Sequence, residues 1–364
     1  ARPLLLGLTP PAGVVHPARA DLAARRLAGE PSMEQLIRDF RFTVDGREAT
    51  RGVHRGMVFT AEPLVDEKAL RGLDALLIDP IREHLPSDPD VPVVLVPQGR
   101  LFQVPFAALL APDRTHLIER HPLLVVPSLA VLDLLARRGV DDRPWHPNEV
   151  LVVGDPKYSA GSTLIQLGAA RSEAVDIASL WGADPLLDAE ATLGEVVDRL
   201  GTARLVHLAT HAWPTSADPD ARFPGTLALT PDDSALPGAK EGLLSADLVR
   251  ERQLGKFADL VVASACDTGG GHLTSDGVLG LARSFLASGT RRVVVRLWQV
   301  PDQPTEALMV DFHQALLAGS RVEDALRDAM LEAIRKKKPY AQWAAFVAFG
   351  APTLPPAIGE AVSF

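Results

Sequence analysis

Short, almost wholly apolar runs alternate with segments of helical period along most of the chain. Residues 91–97 (VPVVLVP) and 123–127 (LLVVP) are continuous apolar stretches and predict buried strands. Between residues 66 and 85, Leu70, Leu73, Leu76, Leu77 and Ile81 recur at helical spacing. Residues 128–138 read as a helix with Ser128 as N-cap. From residue 150 onward the alternation is regular. Strands are predicted at 150–154 (VLVVG), 204–210, 258–264, 291–300 and 344–349, with a short one at 227–230. Helices are predicted at 168–181, 192–200 (capped by Thr192), 245–253 (capped by Ser245), 277–288, 303–317 and 322–338. Apolar strands separated by helices predict a parallel sheet covered on both faces, a doubly wound α/β design. Residues 1–60 are broken by Pro3, Pro10, Pro11 and Pro17 and predict only short helices at 21–29 and 32–40. Residues 140–147, polar and with two prolines, read as a linker.

The charge balance narrows the function classes. With 37 Lys+Arg against 46 Asp+Glu the chain is net −9 and has no long basic block. That argues against direct nucleic-acid binding, which depends on neutralising phosphates. No apolar run reaches the roughly 20 residues of a membrane span. Residues 1–8 lack a full signal-peptide layout. The single cysteine, Cys266, precludes an intrachain disulfide and a Cys-rich zinc site, and suits a reducing, cytoplasmic setting. The chain opens on Ala1 rather than Met, which fits a processed or excised piece of a longer protein.

In sheets of this kind active residues gather at the carboxyl ends of the strands. Two predicted strands end in reactive side chains. One runs through His207 to His211, the other through Ser264 to Cys266, followed by Asp267 and three glycines at 269–271. If the strands are neighbours, His211 and Cys266 meet at one edge, and an imidazole there activates a thiol as a nucleophile. The competing reading makes Cys266 a small apolar filler of a buried strand. His207 and His211 as a metal pair is disfavoured, because H-x-x-x-H shares a face on a helix and this segment is strand-like. His207 reads as a hydrogen-bonded core histidine. The glycines 269–271 lack the lysine of a phosphate loop, and residues 335–338 read as a solvated basic helix end.

Several segments in order resemble the CHAT domain family, caspase-like proteins related to separases. They are residues 207–212 (HLATHA), 264–269 (SACDTG), 276–289 (DGVLGLARSFLASG), 293–302 (VVVRLWQVPD) and 343–350 (WAAFVAFG). Residues 94–108 (VLVPQGRLFQVPFAA), 168–173 (GAARSE) and 189–193 (AEATL) extend the resemblance, which runs from about 64 to 350. It implies an α/β caspase-like three-layer sandwich with a mostly parallel central sheet. Residues 1–63 become a lead-in, 64–140 an N-terminal part read as a degenerate caspase-like half, 148–350 the catalytic part and 351–364 a tail. The resemblance further implies a cysteine endopeptidase with Cys266 as nucleophile and His211 as general base, needing no cofactor and no metal. The backbone N–H groups of Ala212 and Cys266 would hold the oxyanion, although Ala212 stands where the family usually has Gly. Asp302, with Asp267 second, would line a pocket for a basic substrate residue; Asp302 is equally readable as a helix cap. The implied partners are a specific protein substrate and an activating sensor domain or partner protein, often in antiviral or cell-death systems, with no membrane. The proline-rich stretch 213–244 or residues 269–275 would gate the site. The alternatives are an inactive caspase-like scaffold and a thiol redox sensor, the latter without a resolving cysteine.

Overall fold

A computed structural model of the chain describes residues 4–7, 35, 37, 67–138, 143–159, 162, 164–212, 225–267, 275–298, 300 and 302–352. The predicted helices at 21–29 and 32–40 lie outside these residues apart from Gln35 and Ile37, both helical, and the gate segments 213–224 and 268–274 also lie outside.

The strands in chain order are β1 (Leu4–Gly7), β2 (Val93–Val96), β3 (Leu123–Val125), β4 (Val150–Pro156), β5 (Leu186–Asp188), β6 (Leu205–Ala209), β7 (His211–Ala212), β8 (Leu227–Ala228), β9 (Leu243–Leu244), β10 (Leu260–Ala263), β11 (Cys266–Asp267), β12 (Arg292–Arg296) and β13 (Phe346–Gly350). Among the described residues they form a nine-stranded sheet, β1-β2-β3-β13-β12-β10-β6-β4-β5, and a four-stranded one, β11-β7-β8-β9. The helices are α1 (Glu67–Leu77), α2 (Leu117–Arg120), α3 (Leu129–Arg137), α4 (Gly168–Trp181), α5 (Leu193–Leu200), α6 (Ala246–Glu251), α7 (Ser275–Ser288), α8 (Asp302–Leu317), α9 (Val322–Arg335) and α10 (Tyr340–Trp343).

Every residue of β2, β4, β6, β10 and β12 is buried, as expected of strands covered on both faces. The order of the sheet assigns the helices to its faces. β4 passes through α4 to β5 on one side, and β5 returns through α5 past β4 to β6. Right-handed crossovers therefore put α4 on one face and α5, α6 and α7 on the other. α8 packs on both α4 and α9, while α6 packs on α7, which completes three layers. Local chemistry sets the boundaries. The hydroxyls of Ser128, Thr192 and Ser245 each accept a hydrogen bond from the main-chain N–H three residues on, capping α3, α5 and α6, each contributing about 1 kcal/mol. Gly182 closes α4 in the left-handed conformation, φ 64°. At Gly154 a Cβ would sit 2.3 Å from that of Ala174, so only glycine lets β4 approach α4 this closely.

Two sequence expectations are corrected. The helix expected to run from residue 66 to 85 ends at Leu77 and continues as a 3₁₀ turn over Asp79–His84, because Pro80 has no N–H for an α-helical ladder. The last strand is antiparallel: β13 pairs with β12 in reverse, while β13–β3 and the other pairings of the large sheet are parallel. The reason is that two long helices separate β12 from β13. α8 carries the chain back and α9 carries it forward again, so it re-enters from the opposite end. The short strands β5, β7, β9 and β11 have too few residues to show any period and were not expected as separate elements. β1, within the stretch expected to be a lead-in, pairs with β2 at the edge of the large sheet. No helix among the described residues is long and apolar enough to cross a membrane.

Candidate active site

The order of the sheet reverses between β4 and β6, so their carboxyl ends flank a crevice of the kind in which α/β proteins place their ligands. β10 lies next to β6, which brings three strand ends side by side. The expectation that the histidine and cysteine strands are neighbours is met. Beyond the large sheet the chains of β6 and β10 continue as β7 and β11, which pair in parallel with Cys266 opposite His211 and Asp267 opposite Ala212. Residues so paired share one face of the sheet. Ala212 pairs with Leu227 of β8. It lies in an extended strand, a conformation open to any residue, so alanine is accommodated where glycine is usual.

His211 is fully buried. Its Nε2 lies 2.7 Å from the main-chain carbonyl oxygen of Ile165. A carbonyl only accepts, so Nε2 carries the proton and Nδ1 is the acceptor nitrogen of the neutral ring. Tyr158 stacks obliquely on the same imidazole, with centroids 5.0 Å apart. The Tyr158 phenol donates to Thr210 Oγ1 at 3.3 Å, and Thr210 donates to the Ala228 carbonyl at 2.5 Å. Burial pushes the Tyr158 phenol up to about 12, with hydrogen bonding between it and Thr210 opposing the shift and the Asp155 carboxylate adding to it, so it stays a neutral donor.

Tyr158, Ile165 and Asp155 were missed in the sequence. The usable signal was the end of the β4 run, where Gly154 gives way to Asp-Pro-Lys-Tyr at a strand terminus. His207 is placed away from this constellation. Its Nε2 donates to Glu173 Oε1 at 2.9 Å and its Nδ1 accepts from His313 Nε2 at 3.1 Å, which makes it a hydrogen-bonded core residue as expected. Among the described residues no cluster of three His, Cys, Asp or Glu side chains could hold a metal ion. Asp302 is the first residue of α8, after β12, at the carboxyl end of the sheet but across β10 from His211. Near it Arg296, buried at the end of β12, donates to Thr305 Oγ1 of α8 at 2.9 Å.

The CHAT domain, as a family, matches residues 67–351. Tetratricopeptide repeat protein 28 of Homo sapiens is 30% identical over 323 residues, covering 77% of this chain and 13% of its own length. The chain therefore spans only a small part of that relative. Two solved structures show a limited similarity to the chain. The Saccharomyces cerevisiae separase–securin complex has a TM-score of 0.45 at 16% identity, covering 79% of this chain and 17% of that one. The Arg-specific cysteine proteinase gingipain R has a TM-score of 0.46 at 12% identity, covering 81% and 69%. With the family matched over most of its length, the chain belongs to the CHAT domain family.

Proposed function

We propose that the protein is a cysteine endopeptidase acting through Cys266 and His211. The observation that supports this best is the pairing of Cys266 with His211 on adjoining strands, together with the Ile165 carbonyl that leaves His211 Nδ1 as the proton acceptor. In the reaction, the Cys266 thiol gives its proton to Nδ1 and the sulfur attacks the scissile carbonyl carbon. The N–H groups of Ala212 and Cys266 stabilise the oxyanion. The imidazolium protonates the leaving amine as the C–N bond breaks, leaving a thioester on Cys266. Water, deprotonated by His211, hydrolyses that thioester and restores the thiol. The chemistry needs no cofactor.

The substrate in this reading is a specific protein, and Asp302 or Asp267 pairs with a basic residue on it. Turnover is gated by a sensor domain or partner protein, in the cytoplasm, in a setting such as antiviral defence or regulated cell death. Supporting a gate is the small sheet: β8, which follows the 213–224 segment, pairs with the strand that carries His211, and β9 pairs with β8. Displacing them would be felt directly at the imidazole.

Incubating the wild-type protein and Cys266→Ala with a cell lysate, then mapping new protein N-termini, tests the proposal. Termini that appear with wild type and vanish with C266A support peptidase action. The same termini with both proteins would assign the cleavage elsewhere.

A further inference from the structure

β4 ends irregularly. Asp155 stands at φ 44°, in the left-handed region that disfavours a side chain. It is nevertheless buried, 4% exposed, with its carboxylate turned toward the loop that follows. Oδ1 accepts from the main-chain N–H of Leu167 at 2.6 Å and from Gln166 Nε2 at 2.8 Å. Gln166 Nε2 also reaches the Pro156 carbonyl at 3.1 Å. Arg171 Nε faces Oδ2 at 3.8 Å, and the same guanidinium pairs with Asp188 at the end of β5. One carboxylate thus ties the first residues of the β4–α4 loop to the last ones.

This loop grips His211 from two sides. Tyr158, near its start, lies against the ring, and Ile165, next to Gln166, presents its carbonyl to Nε2. The Ile165 side chain is 68% exposed and does not anchor the residue. What fixes its carbonyl is the main chain at 166–167, and that is held by Asp155. An uncommon backbone conformation at a strand end beside a candidate site is most simply explained by this task.

We propose that Asp155 is a positioning residue for His211. By fixing residues 165–167 it keeps the Ile165 carbonyl on Nε2–H, and so keeps Nδ1 as the nitrogen that receives the Cys266 proton. The role rests on the peptidase reading above and adds to it a residue that touches neither thiol nor imidazole.

The test needs no substrate. Cys266 is the only cysteine, so alkylation by iodoacetamide reports it alone. The reagent reacts with the thiolate, whose population depends on His211 taking the proton. Asp155→Gly deletes the acceptor and suits a positive φ. Asp155→Asn keeps an acceptor oxygen in place without the charge. Asp155→Glu keeps the charge and displaces it. Near neutral pH, D155G and D155E are expected to slow alkylation by about five- to tenfold, the effect of losing an oriented hydrogen bond, with D155N within about twofold of wild type. His211→Ala is expected to be slower than all of them. Melting curves accompany each rate. Should D155G and D155E not fold, Gln166→Ala, which removes one of the two donors to the carboxylate, is expected to slow the reaction about threefold. A wild-type rate in D155G, in D155E or, where it replaces them, in Q166A overturns the positioning role. So does a D155N rate as slow as D155G. A wild-type rate in H211A overturns the Cys–His reading itself.

Discussion

Cys266 and His211 are register partners, and the offset that pairs them is the one that pairs Ala263 with Leu208 in the large sheet. The juxtaposition is therefore inherited from the core. β6 and β10 are buried along their whole length, and a slip of one residue would exchange the side chains packed against the two helical layers. The reactive pair sits just beyond that locked register, where the chain leaves the large sheet and forms the small one.

His207 belongs to stability. Trp181 Nε1 donates to His313 Nδ1 at 3.1 Å, His313 Nε2 donates to His207 Nδ1, and His207 Nε2 donates to Glu173, all within the core. Burial, and then the neighbouring His207, hold His313 well below the usual histidine range, which keeps it neutral in this chain of bonds. His207→Gln leaves buried groups without their partners, at a cost of about 2 kcal/mol. A melting temperature lower by roughly 4–8 °C is expected. Iodoacetamide reactivity of Cys266 at low temperature should be unchanged. Loss of that reactivity in a folded variant would place His207 in the site.

Tyr158 gives a pH signature. Its phenol is pushed up to about 12, above the roughly 10 of an unfolded tyrosine. The folded state therefore holds the proton more tightly, and the resulting stability is fully present below pH ~10 and lost as pH rises toward ~12. The size of the effect is on the order of 2 kcal/mol. Tyr158→Phe cannot ionise, so denaturant midpoints of wild type and variant should keep a constant difference up to pH ~10, with wild type falling relative to the variant above it. A constant difference through pH ~12 would mean that the phenol is not sheltered.

The substrate pocket is expected to hold an acid, Asp302 first and Asp267 second. Arg296 bears on this choice. It is buried at the end of β12 and bonded to the first turn of α8, so a guanidinium lies close to where Asp302 begins that helix. An acid that serves a substrate cation has to do so against this neighbour. In a peptide library, Asp302→Asn should lower cleavage after Arg or Lys by at least about tenfold, the value of one charge-assisted bond in a sheltered site. Equal cleavage by wild type and D302N, or preference for Leu or Met at that position, would leave Asp302 as an acid in the first turn of α8 alone.

Much of the fold was legible because its strands are apolar on both faces and its helices carry ordinary caps. Ser128, Thr192 and Ser245 mark true helix starts, and α4 runs over the predicted residues 168–181. The reversal of β13 was not legible, since the direction of a strand depends on how many helices precede it rather than on its own residues. His211 and Cys266 stood out as reactive groups at the ends of apolar runs. Asp155, Tyr158 and Ile165 did not. They act through a carboxylate that accepts from main-chain N–H, a ring face and a main-chain carbonyl, and that geometry leaves little trace in residue type.

The most direct test of the Cys266–His211 pairing is covalent capture by a peptide-directed electrophile, read by intact mass. An acyloxymethyl ketone carried on a mixed peptide library should add once, at Cys266. Labelling should be much slower when the peptide portion is removed, and His211→Ala should remove the difference. Capture by wild type that depends on both the peptide and His211 is the predicted result. Labelling at the same rate in wild type and H211A, with or without the peptide, would show Cys266 to be an ordinary thiol and contradict the peptidase account.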